Sequence, residues 1–237
     1  MRRWTAPPEL DDCLLHGPES GAELFVVEGR SAADAVRTVR DPLRQAVLPL
    51  QGKPLNGARA TDARVAADPF LGALATALGI GRGDACSLAG LRYERVLLLH
   101  DPDADGIHIG ALLLMHLARW HAPLLEAGRV ERVHAPVGEV RAGPPGSAGT
   151  GEPPALAFGE AHFRVLCERA RARHGDAFVA VRHRGLGAIS PTALRATCVD
   201  PATRLTTVLD GTDARLAAAA FGAARRATPA LPAGCAG

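Results

Sequence analysis

One apolar run near the centre of the chain limits what it can fold into. Val96, Leu97, Leu98 and Leu99 are continuous and aliphatic, which is typical of a strand that other layers cover on both faces. We therefore predict a buried strand at residues 95–100. Further strands are predicted at 24–27, 46–50 and 130–134, alternating with helices at 31–39, 69–78 and 106–118. This alternation predicts an α/β fold with a parallel sheet flanked by helices.

Composition divides the chain into five predicted parts. Residues 1–21 form an N-terminal extension, and residues 22–140 form the α/β domain. Residues 141–157, RAGPPGSAGTGEPPALA, are rich in Gly, Pro and Ala and are predicted to be a flexible linker. Residues 158–226 form a mostly helical C-terminal segment, with helices at 162–174, 191–198 and 213–224 and a strand at 178–181. Residues 227–237 are predicted to be a disordered tail.

Bulk composition excludes several classes of protein. No run of about twenty apolar residues could cross a bilayer, and the first residues lack the apolar core of a secretion signal, so we expect a cytoplasmic protein without membrane contact. The five cysteines are never spaced as C-x-x-C, which argues against a zinc site or a disulfide framework. Net charge is only +2, so any contact with nucleic acid requires a local basic surface.

Acidic side chains follow two of the predicted strands. The sequence DPDADG directly after the strand at 95–100 contains Asp101, Asp103 and Asp105, and Glu28 directly follows the strand at 24–27. In open α/β sheets, active sites lie at the carboxyl ends of the strands. Closely spaced carboxylates require a cation to neutralise them. Their oxygens suit a hard divalent ion, so the sequence predicts a magnesium site.

The acidic motif has other interpretations. It also opens an EF-hand loop, but that loop needs a glutamate at its twelfth position, where Leu112 stands, and a helix before it. Taken by itself, the motif is also compatible with an acidic turn that is exposed to solvent and binds no metal. His100 and His108 flank the cluster, yet a hard oxygen site makes imidazole ligands unfavourable, and His100 is predicted to pack at the strand end.

The rarest polar residues fall in one short segment. Of 27 basic residues only Lys53 is a lysine, and it lies among the only glutamines and the only asparagine of the chain, Gln45, Gln51 and Asn56. A single lysine in an arginine-rich protein suggests that this position needs a compact ammonium group. The alternative explanation for this clustering is chance drift of the sequence.

Four segments in the same order resemble the Toprim domain of the B subunits of bacterial DNA gyrase and topoisomerase IV. They are ELFVVEGRSAADA (23–35), QAVLPLQGKPLNGARA (45–60), LRYERVLLLHDPDADGIHIGALLL (91–114) and VRHRGLGAISPTALRATCVDPATR (181–204). The resemblance implies a Toprim, or Rossmann-like, parallel sheet flanked by helices, followed by a mostly helical tail segment.

The resemblance also implies roles for individual residues. Glu28 would transfer a proton to the leaving 3′ oxygen of DNA, with Asp101, Asp103 and Lys53 completing the catalytic set. Mg²⁺ would be held by Glu28, Asp101, Asp103 and Asp105. DNA would be bound by the following residues: Lys53, Asn56, Arg184 and Gly185.

The implied activity is that of a type II topoisomerase B-type subunit that is not autonomous. Its partners would be double-stranded DNA and a tyrosine-bearing A-type subunit. No ATP-binding signature is present and only about twenty residues precede the Toprim segment, so we expect no ATP site here, with an ATPase possible on a separate chain. Tyr93, the only tyrosine, is interpreted as structural.

Several positions depart from the family pattern. Arg30 stands where the family has an acid, and Ala33 and Asp34 replace two glycines. Gly110 replaces an arginine and Ala188 a glutamate. Arg30 and Leu43 fall in the region of B subunits that meets quinolone drugs, which suggests altered activity or drug response.

These departures leave two alternatives to a topoisomerase subunit. One is a non-catalytic module that binds DNA or gyrase and regulates or protects it. The other is a self-contained nuclease or primase-like enzyme, against which the RGLG and DPATR segments argue. The arginines of the helix at 162–174 either line DNA or form a solvated face.

Overall fold

The computed structural model describes residues 4–143 and 153–222. Its strands are β1 (Glu23–Glu28), β2 (Gln45–Leu50), β3 (Arg95–Leu99), β4 (Val130–Val133), β5 (Gly138–Ala142), β6 (Ala155–Ala157), β7 (Phe178–Arg182) and β8 (Thr206–Val208). Its α-helices are α1 (Gly29–Val39), α2 (Asp62–Ala67), α3 (Pro69–Leu78), α4 (Ala104–Trp120), α5 (Ala122–Glu126), α6 (Glu160–His174), α7 (Pro191–Leu194) and α8 (Gly211–Ala217). Short 3₁₀ turns and two π-helical segments, Arg195–Val199 and Ala218–Gly222, complete it.

The main sheet has five strands in the order β2–β1–β3–β4–β8. The first four are parallel, and β8 pairs antiparallel with β4. Because successive side chains of a strand point to opposite faces, Leu24 and Val26 enter a core shared with α3, α4 and α5, whereas Phe25 and Val27 enter a core shared with α1 and α7. The predicted α/β architecture, a mostly parallel sheet flanked by helices, is confirmed.

Helix boundaries follow from capping side chains. The carboxylate of Asp68 accepts a hydrogen bond from Leu71 N, Pro69 occupies the first turn, and Gly79 ends α3 in the left-handed region at φ +74°. These are favoured residues at helix starts and ends, and the prediction of 69–78 is correct at both ends. Helix α4 begins two residues earlier than predicted because Asp103 caps it.

The linker predicted at 141–157 is wrong at both of its ends. β5 extends to Ala142, and β6 pairs with β5 in a second sheet of order β6–β5–β7. This sheet and α6 enclose a small apolar cluster that includes Val140, Ala157 and Phe163, so tertiary burial orders residues whose composition suggests a linker. Residues 144–152 and the tail predicted at 227–237 lie outside the described residues.

The chain returns to the main sheet after the second one. Strand β8 extends the main sheet, α8 packs against α4, and α7 packs against α1. The segment predicted at 158–226 therefore shares a sheet and both cores with the domain predicted at 22–140. No helix in the described parts of the chain is long and apolar enough to cross a membrane.

Candidate metal centre

Glu28 lies at the carboxyl end of β1, where the chain turns into α1. One carboxylate oxygen, Oε2, is buried and has no hydrogen-bond partner among the described residues. Burial raises the pKa of Glu28, and the charges of Asp101, Asp103 and Asp105 raise it further, against an opposing effect of Lys53. Glu28 is thus a carboxyl group that holds its proton unusually well beside three other acids.

Asp101 follows β3 and contacts the segment RGLG. Its Oδ1 accepts a hydrogen bond from the backbone N–H of Leu186 at 2.9 Å. Burial raises the pKa of Asp101, Asp103 adds to the increase, and the Leu186 N–H opposes it. Gly185 has φ +132°, and a Cβ at this position would lie 2.8 Å from Asp101 Oδ2. Only glycine fits this close approach.

We predict that Gly185→Ala lowers the free energy of unfolding by roughly 1–3 kcal/mol. The alanine would combine an unfavourable φ with a clash against Asp101. Gly159→Ala is the matched control, since Gly159 has φ +96° and a Cβ added there would meet no atom within 4 Å. Chemical denaturation of both variants measures the difference, and equal losses of stability would refute a role for the Asp101 contact.

Asp103 and Asp105 occupy the start of α4. Asp103 Oδ1 accepts a hydrogen bond from Gly106 N at 2.8 Å, and Asp105 Oδ1 accepts one from Lys53 Nζ at 2.7 Å. Lys53 lowers the pKa of Asp105 through this hydrogen bond and its charge. A Cβ on Gly106 would lie 2.0 Å from the carbonyl oxygen of Asp101, so the tight turn of the DPDADG motif requires glycine there.

The four predicted metal ligands are neighbours but do not form a closed set. Among residues 4–143 and 153–222, the only group of three or more acid, His or Cys side chains with ligand atoms all within 4.8 Å is Asp12, Cys13 and His16. Asp103 is engaged as a helix cap and Asp105 with Lys53. Glu28 and Asp101 nevertheless come at the carboxyl ends of the neighbouring parallel strands β1 and β3, and Asp103 and Asp105 follow at the start of α4, so all four lie at one end of the sheet.

The group at Asp12 is better explained as a polar network than as a metal site. Tyr93 Oη donates to Asp12 Oδ1 at 2.6 Å, and Arg92 Nη2 donates to Asp12 Oδ2 at 2.5 Å. A guanidinium therefore already neutralises the carboxylate. Tyr93 is fully buried, and burial raises its pKa, in agreement with the prediction that it is structural.

The predicted DNA-binding residues differ in how exposed they are. Lys53 and Arg184 are exposed cations, and Arg184 precedes the glycine that touches Asp101. The amide of Asn56 is instead engaged within the chain: Nδ2 donates to Phe221 O at 3.0 Å, and Oδ1 accepts from Ala58 N at 3.0 Å. Asn56 therefore fixes the loop that carries Lys53 to the π-helical segment at Ala218–Gly222.

The sequence motifs give no indication of a buried ion pair that the structure contains. Glu23, Gln45 and Arg204 are each at most 9 % exposed. Arg204 Nη1 donates to Glu23 Oε2 at 2.7 Å, and Gln45 Nε2 donates to the same oxygen at 2.8 Å. In the sequence, only the isolated glutamine of β2 and the arginine of DPATR stand out. Their spacing does not indicate that Glu23 and Arg204, which are 181 residues apart, are in contact.

Two positions that depart from the family pattern, Arg30 and Ala188, lie on segments that adjoin the acidic cluster. Arg30 lies exposed in the first turn of α1, with its Nη2 3.9 Å from Glu9 Oε1. Ala188 is exposed in the 3₁₀ turn Leu186–Ala188.

His100 is 8 % exposed at the end of β3, as predicted. Burial, together with the charge of Arg132, lowers its pKa to about 4.

Comparison with known proteins gives one family match and several similar chains. Residues 23–135 match the Toprim domain family. The chain is 32% identical over 201 residues to the B subunit of DNA gyrase from Archaeoglobus fulgidus, covering 85% of this chain and 30% of the relative. It is 37% identical over 200 residues to the B subunit of DNA topoisomerase 4 from Pseudomonas aeruginosa, covering 84% and 30%. It is 33% identical over 204 residues to the B subunit of DNA gyrase from Thermotoga maritima, covering 86% and 30%. The chain thus spans about 30% of the length of these relatives.

Proposed function

This chain belongs to the Toprim family, as a relative of type II DNA topoisomerase B subunits, and on that premise we propose that it supports magnesium-dependent cleavage and religation of DNA. Its partner in this proposal is an A-type subunit that carries the attacking tyrosine. One observation carries the proposal: the unpartnered, buried oxygen of Glu28 lies among three further carboxylates at the end of a parallel sheet.

The donor set fits magnesium. All four side chains, Glu28, Asp101, Asp103 and Asp105, offer hard oxygen atoms, which Mg²⁺ prefers. Burial together with neighbouring negative charge raises the pKa of Glu28 and Asp101, so a cation would relieve an unfavourable concentration of charge. Once bound, Mg²⁺ would neutralise charge on the reacting phosphate.

Glu28 is proposed as the acid-base residue. Burial and the three neighbouring acids raise its pKa above that of an ordinary glutamate, so its carboxyl group binds a proton more readily. A protonated Glu28 can donate to the leaving 3′ oxygen during cleavage, and the carboxylate can take the proton back during religation. Glu28 is half-buried at the end of β1, next to β3, the strand that Asp101 follows.

Lys53 and Arg184 are proposed to bind the DNA backbone. The ion pair of Lys53 with Asp105 is exposed, with 51% and 64% of the two side chains accessible, and exposed pairs contribute little stability. The ammonium group can therefore exchange its carboxylate partner for a phosphate. Arg184 presents a planar guanidinium suited to phosphate oxygens.

The test is a cleavage assay with an A-type topoisomerase subunit, supercoiled plasmid and magnesium. We expect linear DNA with covalently attached protein, and we expect Glu28→Gln and Asp103→Asn to lower its yield by roughly 10²-fold or more. Asparagine caps a helix about as well as aspartate, so Asp103→Asn removes charge without uncapping α4. Asp84→Asn, in the exposed 3₁₀ turn Gly83–Ala85 and outside the acidic cluster, should leave cleavage unchanged.

Two other results would favour different functions. Cleavage by this chain without an A-type subunit would indicate a self-contained nuclease. Binding to the A-type subunit or to DNA without cleavage would indicate a regulatory or protective module, an outcome that the departures at Arg30, Gly110 and Ala188 would then explain.

A further inference from the structure

A cavity of about 520 Å³ lies beside the acidic cluster. It is bounded by the ends of β3 and β4, by α4, and by α8 with the π-helical segment after it, and Asp101 stands at one side of it. This volume falls in the range of small-molecule sites, which are mostly apolar with a few polar groups that fix orientation.

Two polar side chains of the cavity wall lack partners. His100 is 8 % exposed, and its Nε2 is buried with no hydrogen-bond partner among the described residues. Arg132 lies in the wall, and within residues 4–143 and 153–222 its guanidinium forms neither an ion pair nor a hydrogen bond. The guanidinium of Arg132 is exposed, so water can solvate it. The buried Nε2 of His100 is different, because a buried polar atom without a partner is costly, and a ligand atom that accepts a hydrogen bond from it would be favourable.

The acidic side chains of the wall are already engaged. Asp101 accepts a hydrogen bond from the backbone N–H of Leu186 at 2.9 Å, and Asp213 accepts one from Asp210 N at 3.0 Å. Both carboxylates keep their charge, but neither forms an ion pair with Arg132 among the described residues. The exposed guanidinium of Arg132 and the buried Nε2 of His100 therefore form the part of the wall that is suited to an anionic head group.

The remaining wall is apolar. Leu114, Val133 and Phe221 contribute hydrocarbon and aromatic surface. Two further apolar side chains of the lining are strongly exposed, Ile107 at 57% and Leu216 at 65%. Exposed apolar surface around a concave site is typical of a binding surface.

We propose that this cavity binds an amphipathic organic anion. Its ring or branched hydrocarbon would lie against Leu114, Val133 and Phe221, and its acid group would accept hydrogen bonds from Arg132 and His100. The proposal does not depend on the function proposed above, because it requires neither DNA nor a metal ion.

Gly110 provides a way to close the cavity selectively. It lies inside α4 and lines the cavity, and a Cβ there would be 3.5 Å from His100 Nδ1, which is an ordinary contact. Alanine is a better helix former than glycine, so Gly110→Ala should fold and leave most of the volume. Gly110→Leu should fold as well, and its side chain would occupy the part of the cavity beside His100, where the head group is proposed to bind.

The experiment uses anilinonaphthalene sulfonate, a fluorescent aromatic anion, titrated against the full chain. We expect one saturable site per chain, retained in Gly110→Ala and lost in Gly110→Leu. Arg132→Gln should weaken binding about tenfold, the size of one hydrogen bond to a charged group. Naphthoate should displace the probe at least about tenfold better than neutral naphthamide.

Three results would overturn the proposal: unchanged binding by a folded Gly110→Leu variant, binding that does not saturate at one site, or equal displacement by naphthoate and naphthamide. Circular dichroism and thermal melting establish folding. If Gly110→Leu does not fold, Ala111→Phe fills the same cavity from the next residue of α4. Asp103→Asn should keep probe binding, which separates this result from the cleavage assay.

Discussion

Replacing Arg204 with alanine should destabilise the fold by about 3–5 kcal/mol, the usual cost of removing one partner of a buried ion pair. Glu23 would keep its charge at 6 % exposure with only Gln45 as a side-chain hydrogen-bond donor among the described residues. The backbone carbonyl of Val199 would also lose the hydrogen bond that Arg204 Nη1 donates at 3.1 Å. Urea denaturation followed by circular dichroism measures the change.

Two variants test this explanation. In the double variant Arg204→Met with Glu23→Leu, both charges are absent, so most of the lost stability should return. Arg182→Ala breaks an exposed ion pair with Glu160 and should leave the denaturation midpoint almost unchanged. A loss of the same size in Arg204→Ala and Arg182→Ala would show that burial does not determine the effect.

Acidification should destabilise the protein through two buried histidines. His116 and His121 have no exposed surface, and none of their four ring nitrogens has a hydrogen-bond partner among the described residues. Burial, with smaller contributions from His121 and Arg82, lowers the pKa of His116 to about 3. Burial, with a smaller contribution from Arg82, lowers the pKa of His121 to about 4. Both side chains are therefore neutral in the folded state at neutral pH.

The sign of this pH effect follows from the protonation of the two histidines in the folded and unfolded states. Unfolded histidine titrates near pH 6.5, so below that pH the unfolded chain binds protons that the folded protein excludes. Stability is fully present above about pH 6.5 and is lost as pH falls toward the folded pKa values. At pH 5 the two groups together should cost on the order of 4 kcal/mol, a large part of the stability of a typical domain.

Leucine variants separate these histidines from other acid-sensitive groups. His116→Leu and His121→Leu replace each ring with an apolar side chain of similar volume and should reduce the difference in unfolding free energy between pH 8 and pH 5 by about half each. His174→Leu, at an exposed position of α6, is the control. If the pH dependence persists in the double leucine variant, these two side chains are not its cause.

The sequence alone identified most elements of the main sheet because their signals are local. The apolar run of β3, the proline and aspartate at the start of α3 and the glycine at its end each act within one turn or strand. It missed β5, whose last two residues fall in the predicted linker, and it missed β6 and β8, which have three residues each and no apolar periodicity of their own. Partner strands, not local preference, determine such short strands.

For the candidate site, the sequence determined which carboxylates lie at strand ends and which residue is the single lysine. Only the tertiary structure decided what each of them contacts. Asp101 contacts Leu186, which is 85 residues away, and Lys53 contacts Asp105, which is 52 residues away. One carboxylate oxygen of Glu28 is buried without a hydrogen-bond partner among the described residues. Contacts of this kind depend on how strands are ordered and on which face each loop packs against. Because burial and charge then change the pKa of these groups, the chemistry of the site follows from packing between segments that are distant in sequence.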